Sequence, residues 1–417
     1  MRLEQICLHH FRNIESAHLC FSPGVNLLYG ANAQGKTNAL EAIAYFAAAK
    51  SFRGAKEAEM IRFGEERCMM QMKMQTEKRE LTLCATLFAH QKHKLEKNGV
   101  ALRRTSDLVG LFRCVLFCPE HLSLIKGAPQ QRRAFLDNAI SQLKPSYLSS
   151  LVAYRKLLKQ KNALLRDGEI GTSKTALLEV LNAQMAPLHA HLVQTRCNYL
   201  SMLCDHTSRF VCEMTGGKET VQMRYLSSLL PQEERQEVST FHKQDRCDQN
   251  VCEDRQQTAD QEKFDTEKVQ AHEKAIRASL TKQFYERAMQ LAMREQLAKT
   301  TLVGAHRDDV SILLNDKDAK TYASQGQDRS LVLAMKLAEG EICRLSAQDY
   351  PVFLFDDVLS ELDRTRQAYL MGQLHGRQVI LTGCNEEWFD RSEINRIYVE
   401  NGTYQPKNNQ TEINQNE

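Results

Sequence analysis

Apolar and polar side chains alternate through the first 30 residues and become apolar at Val25-Asn26-Leu27-Leu28-Tyr29. This reads as strands entering a buried sheet. Residues 37–49 are Ala-rich with helical spacing, which predicts a helix directly after that sheet strand. Short strand candidates follow at 69–75, 81–88 and 114–118, with an Asn98-Gly99 turn signal between them. From Gln130 to about Leu230 apolar residues recur three and four apart, the period of long amphipathic helices that suggest an arm or coiled hairpin.

Residues 231–274 break the pattern: they carry twelve acidic and seven basic side chains and few apolar ones. Such a segment cannot bury enough surface to offset its ordering entropy, and reads as a solvated insertion, with partial helix left open. Helical spacing returns at 275–299. Strands and helices then alternate, at 311–315, 329–346, 351–357, 363–374 and 377–383. That α/β alternation implies a parallel sheet. The expected organisation is one head domain made of 1–130 and 300–400, a helical arm over 131–299 containing the insertion, and a polar, disordered tail over 401–417.

Composition narrows the class without naming a function. Lys and Arg total 55 against 52 Asp and Glu, so any nucleic-acid contact must be local. The 13 cysteines are scattered, with no Cys-x-x-Cys pair, and reduced thiols are expected. No apolar run approaches twenty residues and the start lacks an apolar signal core, so the reading is of no membrane span and a cytoplasmic location.

The strongest chemistry lies at Gly30-Ala31-Asn32-Ala33-Gln34-Gly35-Lys36-Thr37, followed by Asn38. Its Gly-x4-Gly-Lys-Thr spacing sits between a buried strand and a helix start, the setting of a phosphate-binding loop. Glycines let backbone N–H groups surround phosphate oxygens, and the helix N-terminus adds positive potential. Lys36 would reach the β- and γ-phosphates of ATP, and the Thr37 hydroxyl would ligate Mg²⁺. A second signal is the apolar strand 352–355 ending in Asp356-Asp357. Asp356 is the expected Mg²⁺ carboxylate and Asp357 the group that orients or deprotonates the attacking water.

Two further segments exceed what a simple phosphate-loop enzyme needs. Ser324-Gln325-Gly326-Gln327 precedes a helix, and Ser360-Glu361-Leu362-Asp363 follows the Asp pair. The order of these four segments resembles that of ABC-type ATPases, an α/β class whose head has a mixed sheet. That resemblance implies that residues 324–327 and Asp363 complete the nucleotide site of a second copy, with two ATP molecules held in a homodimer.

Lys36 and Ser324 are 288 positions apart, so a large helical element is inserted where transporter subunits have a short one. The chain resembles the bacterial RecF recombination mediators, within the SMC and RecF class. The residues that carry this are Phe11-Arg12-Asn13, the 30–37 loop, Phe117-Cys118-Pro119-Glu120, Lys126-Gly127, Arg132-Arg133 through Asp137, His306-Arg307-Asp308-Asp309, 324–327 and 355–363. The resemblance covers roughly 1–230 and 275–400; the 231–274 insertion is additional. It places Arg12 near nucleotide; the residue in the Q-loop role stays open, with Glu120 as a candidate. Asp357 stands where many ABC ATPases carry Glu, and Thr382 where transporters carry a switch His. Both point to a slow ATPase used as a switch.

The resemblance implies ATP-dependent binding to double-stranded and gapped DNA, with RecO and RecR as partners in RecA loading. The basic clusters available for phosphate contact are Lys50/Arg53/Lys56, Lys92/Lys94/Lys97, Arg103/Arg104, Arg132/Arg133 and Arg155/Lys156/Lys159/Lys161. The rival readings are an SMC-like structural DNA tether, disfavoured by the short arm, and a transporter ATPase subunit.

Overall fold

The computed structural model describes residues 1–77, 79–167, 172–230, 259–384 and 394–406, without side chains for 172 and 259–270. Its central layer is a six-stranded sheet. Strand β3 (Val25–Tyr29) is the third of the chain, after β1 (Arg2–Phe11) and β2 (Ile14–Cys20). Helix α1 (Lys36–Ala48) follows β3, and a one-turn helix α2 (Glu57–Met60) leads into β4 (Arg67–Gln75), β5 (Glu80–Phe88), β6 (Lys94–Lys97) and β7 (Val100–Ala101). Then come β8 (Cys114–Phe117) and the helices α3 (Pro129–Leu143), α4 (Pro145–Arg166) and α5 (Thr172–Thr215). Strand β9 (Val221–Leu226), helices α6 (Ala259–Gln290) and α7 (Ala292–Ala298), strands β10 (Asp309–Leu314) and β11 (Lys317–Asp318) and the one-turn α8 (Ala319–Tyr322) precede α9 (Gln325–Ala347). The chain closes with β12 (Val352–Phe355), α10 (Arg364–Gln373), β13 (Val379–Gly383), β14 (Asn395–Glu400) and β15 (Thr403–Pro406).

The central sheet runs β15-β14-β3-β13-β12-β8, parallel except at the β14–β15 hairpin. Its strands are unbroken apolar runs because both faces are covered. Val352 and Leu354 face one core with α1 and the β1–β4–β5 strands, while Phe353 and Phe355 face the other with α3, α5 and α9. The second sheet, β2-β1-β4-β5-β6-β7, is antiparallel. Its strands alternate buried and exposed residues, as in β4 (Cys68, Met70, Met72 and Met74 inward), the signature of a sheet with one wet face. Asn98 and Gly99 form the expected tight turn between β6 and β7, both with positive φ.

The helical region differs from a free arm. The second half of α5 lies in the main core against α9, with Leu192, Leu203 and Val211 fully buried. Strand β9, inside the stretch read as helical, joins β10 and β11 in a three-stranded sheet. A buried polar hub joins the two regions. Arg196 of α5 donates to Asp137 of α3 (2.8 Å), to the hydroxyls of Tyr147 (2.9 Å) and Tyr225 (3.2 Å), and to the Ala305 carbonyl (2.7 Å). Asp308 accepts from the Tyr225 hydroxyl at 2.8 Å and the Ser228 N–H at 2.7 Å. The hub explains why a His306-to-Asp309 block is needed: a buried charge must be paired and fully hydrogen-bonded.

Two sequence expectations change here, and the helix left open within 231–274 is located. The polar segment 231–274 lies outside the described residues up to 258, but from Ala259 it is the start of α6, a helix that runs beside α5. The tail expected over 401–417 is a strand at Thr403–Pro406, paired to β14; 407–417 lie outside the described residues. Three residues of two basic clusters are tied into the fold, while Arg155, Lys156 and Lys159 stay exposed. Arg132 is buried and bidentate to Asp309, at 2.8 and 2.9 Å, and Arg133 donates to the Asp308 carbonyl. Lys161 is buried 2.7 Å from Glu295. Arg132 and Lys161 are thus withdrawn from solvent, against the sequence expectation, and Arg133 is half-buried. No helix among the described residues is long and apolar enough to cross a membrane.

Candidate nucleotide site

The 30–38 loop connects β3 to α1 and is built for a backbone that turns where side chains cannot follow. Gly35 has φ +117°, and a Cβ there would meet Asn13 and the Tyr404 hydroxyl at 3.1–3.2 Å. A Cβ on Gly30 would strike the Val399 carbonyl at 2.3 Å. Both positions therefore require glycine. Lys36 is buried, and its ammonium donates to the carbonyls of Gly30 and Ala31, the latter at 2.8 Å. Asn32 accepts a hydrogen bond from the Cys384 thiol, Ala33 adopts a left-handed turn with φ +64°, and Asn38 donates to Asn13 at 2.7 Å.

The carboxylate strand meets this loop as predicted. The Thr37 hydroxyl donates to Asp356 Oδ1 at 2.8 Å, although 319 residues separate them. The sheet order makes this possible, since β3 and β12 flank β13. Thr382, at the end of β13, donates to the same Asp356 oxygen at 3.0 Å and accepts the Asp357 N–H at 2.8 Å. It thus ties together the two carboxylate residues. Burial pushes the Asp356 carboxyl above its ordinary range. The Thr37 and Thr382 hydroxyls pull it back, while the charges of Glu120 and Asp357 push it up. Glu120, the Q-loop candidate, is therefore within electrostatic reach of Asp356. Asp357 is half-buried with φ +52°, a left-handed conformation unusual outside glycine.

The donor set suits Mg²⁺, which binds few protein oxygens and keeps several waters: one hydroxyl and one carboxylate converge at the helix start. The loop itself offers a helix N-terminus with a buried lysine, the setting for a nucleotide triphosphate.

Among the described residues no hydrogen bond joins the Arg12 side chain to 30–38. Its guanidinium holds the buried Glu41 of α1 through two bonds of 2.7 and 3.0 Å and donates to the Glu59 carbonyl. Nor does the second pair of segments meet the loop within one chain. Ser324 caps α9, accepting the Gln327 N–H while the Gln327 side chain accepts the Ser324 N–H. Gln327 also donates to Glu219 at 2.7 Å. Ser324 and Gln325 are exposed and Gly326 half-buried. Asp363 caps α10 and pairs with Arg366, which in turn donates to Ser330 of α9 at 2.7 Å. Residues 324–327 and Asp363 thus share one face. Among the described residues no hydrogen bond joins 324–327 to 30–38.

The sequence reading missed the partners on the outside of the loop. Asn401 N–H donates to the Gln34 side chain at 2.7 Å, Gly402 N–H to the Gln34 carbonyl at 2.9 Å, and the Tyr404 hydroxyl to the Gly35 carbonyl at 2.9 Å. Asn13 also donates to the Gln34 carbonyl, at 3.3 Å. A signal was present: Asn401-Gly402 between two short β-prone runs is a hairpin turn pair.

Comparison with known proteins gives the family and the fold. The family model described as RecF/RecN/SMC N terminal domain matches residues 2–405. A "DNA replication and repair protein RecF" of Halalkalibacterium halodurans is 34% identical over 411 residues, 98% of this chain and 100% of the relative. The chain belongs to the RecF family. A second family member of the same description, from Heliobacterium modesticaldum, is 33% identical over 403 residues, 96% of each chain. A solved RecF structure, described as the recombination mediator protein RecF-ATPrS in the RecFOR pathway, superposes with a TM-score of 0.81 at 30% identity and covers 98% of each chain. The RecF family's α/β head, with its mixed sheet and helical segments, is the fold seen here. An Smc head domain from Pyrococcus furiosus shares that fold at a TM-score of 0.50 and 14% identity, covering 97% of this chain and 95% of that one.

Proposed function

We propose that this chain is an ATP-dependent DNA-binding recombination mediator of the cytoplasm. On this reading it binds ATP with Mg²⁺, dimerises on the nucleotide, engages duplex or gapped DNA and, with RecO and RecR, promotes RecA loading in repair and replication restart. The observation that carries the nucleotide chemistry is the Thr37–Asp356 contact, which sets a hydroxyl and a carboxylate together at the mouth of a glycine loop. Family membership and the solved RecF-ATP structure, 30% identical at a TM-score of 0.79 over 97% of this chain and 99% of that one, support the ligand.

In this mechanism the N–H groups of residues 31–37 surround the phosphates. Lys36 exchanges its two carbonyl partners for phosphate oxygens. Thr37 and Asp356 hold Mg²⁺, which when bound neutralises charge on the β- and γ-phosphates. Asp357 orients the attacking water, and Thr382 steadies it through the Asp357 N–H. A short carboxylate in that position suits slow turnover, as expected of a switch. Ser324, Gln325, Gly326, Gln327 and Asp363 are exposed or half-buried on one face, where they are available to the nucleotide of a second copy. Arg12 acts through Glu41 on α1. The test is binding to gapped duplex with and without ATP at two salt concentrations. Tighter, salt-sensitive binding with ATP is expected; ATP-independent binding would remove the switch.

A further inference from the structure

A loop that turns its N–H groups inward to an anion must turn carbonyls outward, and each of those needs a donor or water. In this chain the Gln34 and Gly35 carbonyls each gain a donor from a turn some 370 residues away, beside the Asn13 side chain on Gln34 (3.3 Å) and the Ala39 N–H of α1 on Gly35 (3.1 Å). Gly402 N–H reaches the Gln34 carbonyl, and the Tyr404 hydroxyl reaches the Gly35 carbonyl, 369 residues from its own position. The Asn401 N–H takes the Gln34 side chain as well.

The hairpin is held in place from two sides. Strand β14 pairs in parallel with β3, the strand that leads into the loop, and the Val399 carbonyl lies against Gly30. The Gly402 backbone packs on the Asn13 carbonyl, with φ +77° and room for no Cβ: one would sit 2.7 Å from that oxygen. Tyr404 is half-buried, and burial raises its hydroxyl well above the ordinary range. It therefore stays a neutral donor at any working pH.

We propose that the β14–β15 turn is a brace for the phosphate loop, with Tyr404 as a positioning residue whose hydroxyl holds the Gly35 carbonyl outward so that the loop N–H groups converge on phosphate. This rests on the phosphate-loop reading of residues 30–37. Tyr404 touches no ligand in this role; it acts through Gly35. The segment at the chain's far end thereby becomes part of the nucleotide site, and adenosine recognition is independent of it.

The test uses the full chain. Tyr404→Phe removes one hydroxyl and keeps the ring. Three measurements are compared with the unsubstituted protein: affinity for ATP, ADP, tripolyphosphate and adenosine; the melting temperature without ligand; and amide hydrogen exchange over residues 31–38. Loss of one hydrogen bond that orders the loop should weaken ATP, ADP and tripolyphosphate each by about three- to tenfold. Adenosine affinity and melting temperature should hold, and exchange should rise within 31–38. In turnover the loss should fall on KM more than on kcat. A second variant, Gly402→Ala, pushes the turn off Asn13 and draws the Gly402 N–H and the Tyr404 hydroxyl away from the loop without removing either group, and should produce the same phosphate-specific loss.

Equal ATP and tripolyphosphate affinity in Tyr404→Phe, or a loss that extends to adenosine with a lowered melting temperature and unchanged loop exchange, overturns the brace. If the unsubstituted protein binds neither ATP nor tripolyphosphate, the phosphate-loop reading falls and takes the brace with it. Failure of the brace alone leaves wild-type ATP binding intact, so the two outcomes are distinct.

Discussion

Asp356 shows how one side chain can serve a site at the cost of the fold. It is buried, its side chain accepts from two hydroxyls among the described residues, and its carboxyl is raised by that burial. An acid whose folded value lies above its unfolded one contributes stability at low pH and loses it as pH rises through the folded value. Above that raised value the carboxylate form therefore weakens the fold. Asp356→Asn should raise the protein's melting temperature by about 1–3 °C at pH 7, and the gain should shrink as pH falls through the raised value. The same variant should lose Mg²⁺-dependent ATP turnover. Thermal melts over a pH series, without metal or nucleotide, check the first part; a lower melting temperature at pH 7 would contradict the burial argument. The Thr37, Lys36 and Asp356 positions were legible because the chemistry demands those residue types at that spacing. The restraint of Arg12 by Glu41 was not, because Glu41 reads as one more polar residue of an Ala-rich helix.

At the scale of elements, periodicity located the helices but not which charges face water. On α4, Lys161 is sealed against Glu295, whereas Lys156 and Lys159 are exposed. On α3, Arg132 is fixed by Asp309 and three carbonyls. Removing one member of a buried pair leaves the other uncompensated, at a cost of about 3–5 kcal/mol. Arg132→Ala should therefore lower the urea midpoint substantially, whereas Lys156→Glu with Lys159→Glu should leave the midpoint unchanged and weaken DNA binding in low salt. The decisive comparison is a denaturation curve set beside a fluorescence-anisotropy titration for each variant. DNA binding lost in the folded Arg132→Ala protein, and kept in the double Lys variant, would reverse the assignment. The polar stretch from Ala259 to Lys274 became helix because α5 lies alongside it, a contact invisible to local composition.

For the whole molecule, the 324–327 segment and Asp363 lie on one face, cross-linked by Arg366 and by the Arg329–Glu361 pair at 2.6 Å. Among the described residues that face makes no hydrogen bond to its own phosphate loop, and on the proposed reading it serves the nucleotide of another copy. Ser324→Arg puts a long cation where the helix cap should meet triphosphate and breaks the cap, so ATP-driven dimers should vanish in sedimentation velocity while the monomer still binds nucleotide. A wild-type chain that stays monomeric with saturating ATP and Mg²⁺ would end the two-copy model.

What the sequence determined by itself was the nature of each local piece: apolar runs for strands covered on both faces, alternation for the sheet with a wet face, the glycine-lysine-threonine loop, and the carboxylate pair. These depend on neighbours a few residues away, and steric and hydrogen-bond requirements at that range leave few choices. The tertiary structure decided what met across hundreds of residues. It brought Thr37 to Asp356, sealed Arg132 and Lys161, folded α5 into the common core and seated the Asn401–Tyr404 turn against the phosphate loop. Those contacts come from the sheet order and from burial, because the stability of a long-range pair depends on which surfaces the rest of the chain has already covered.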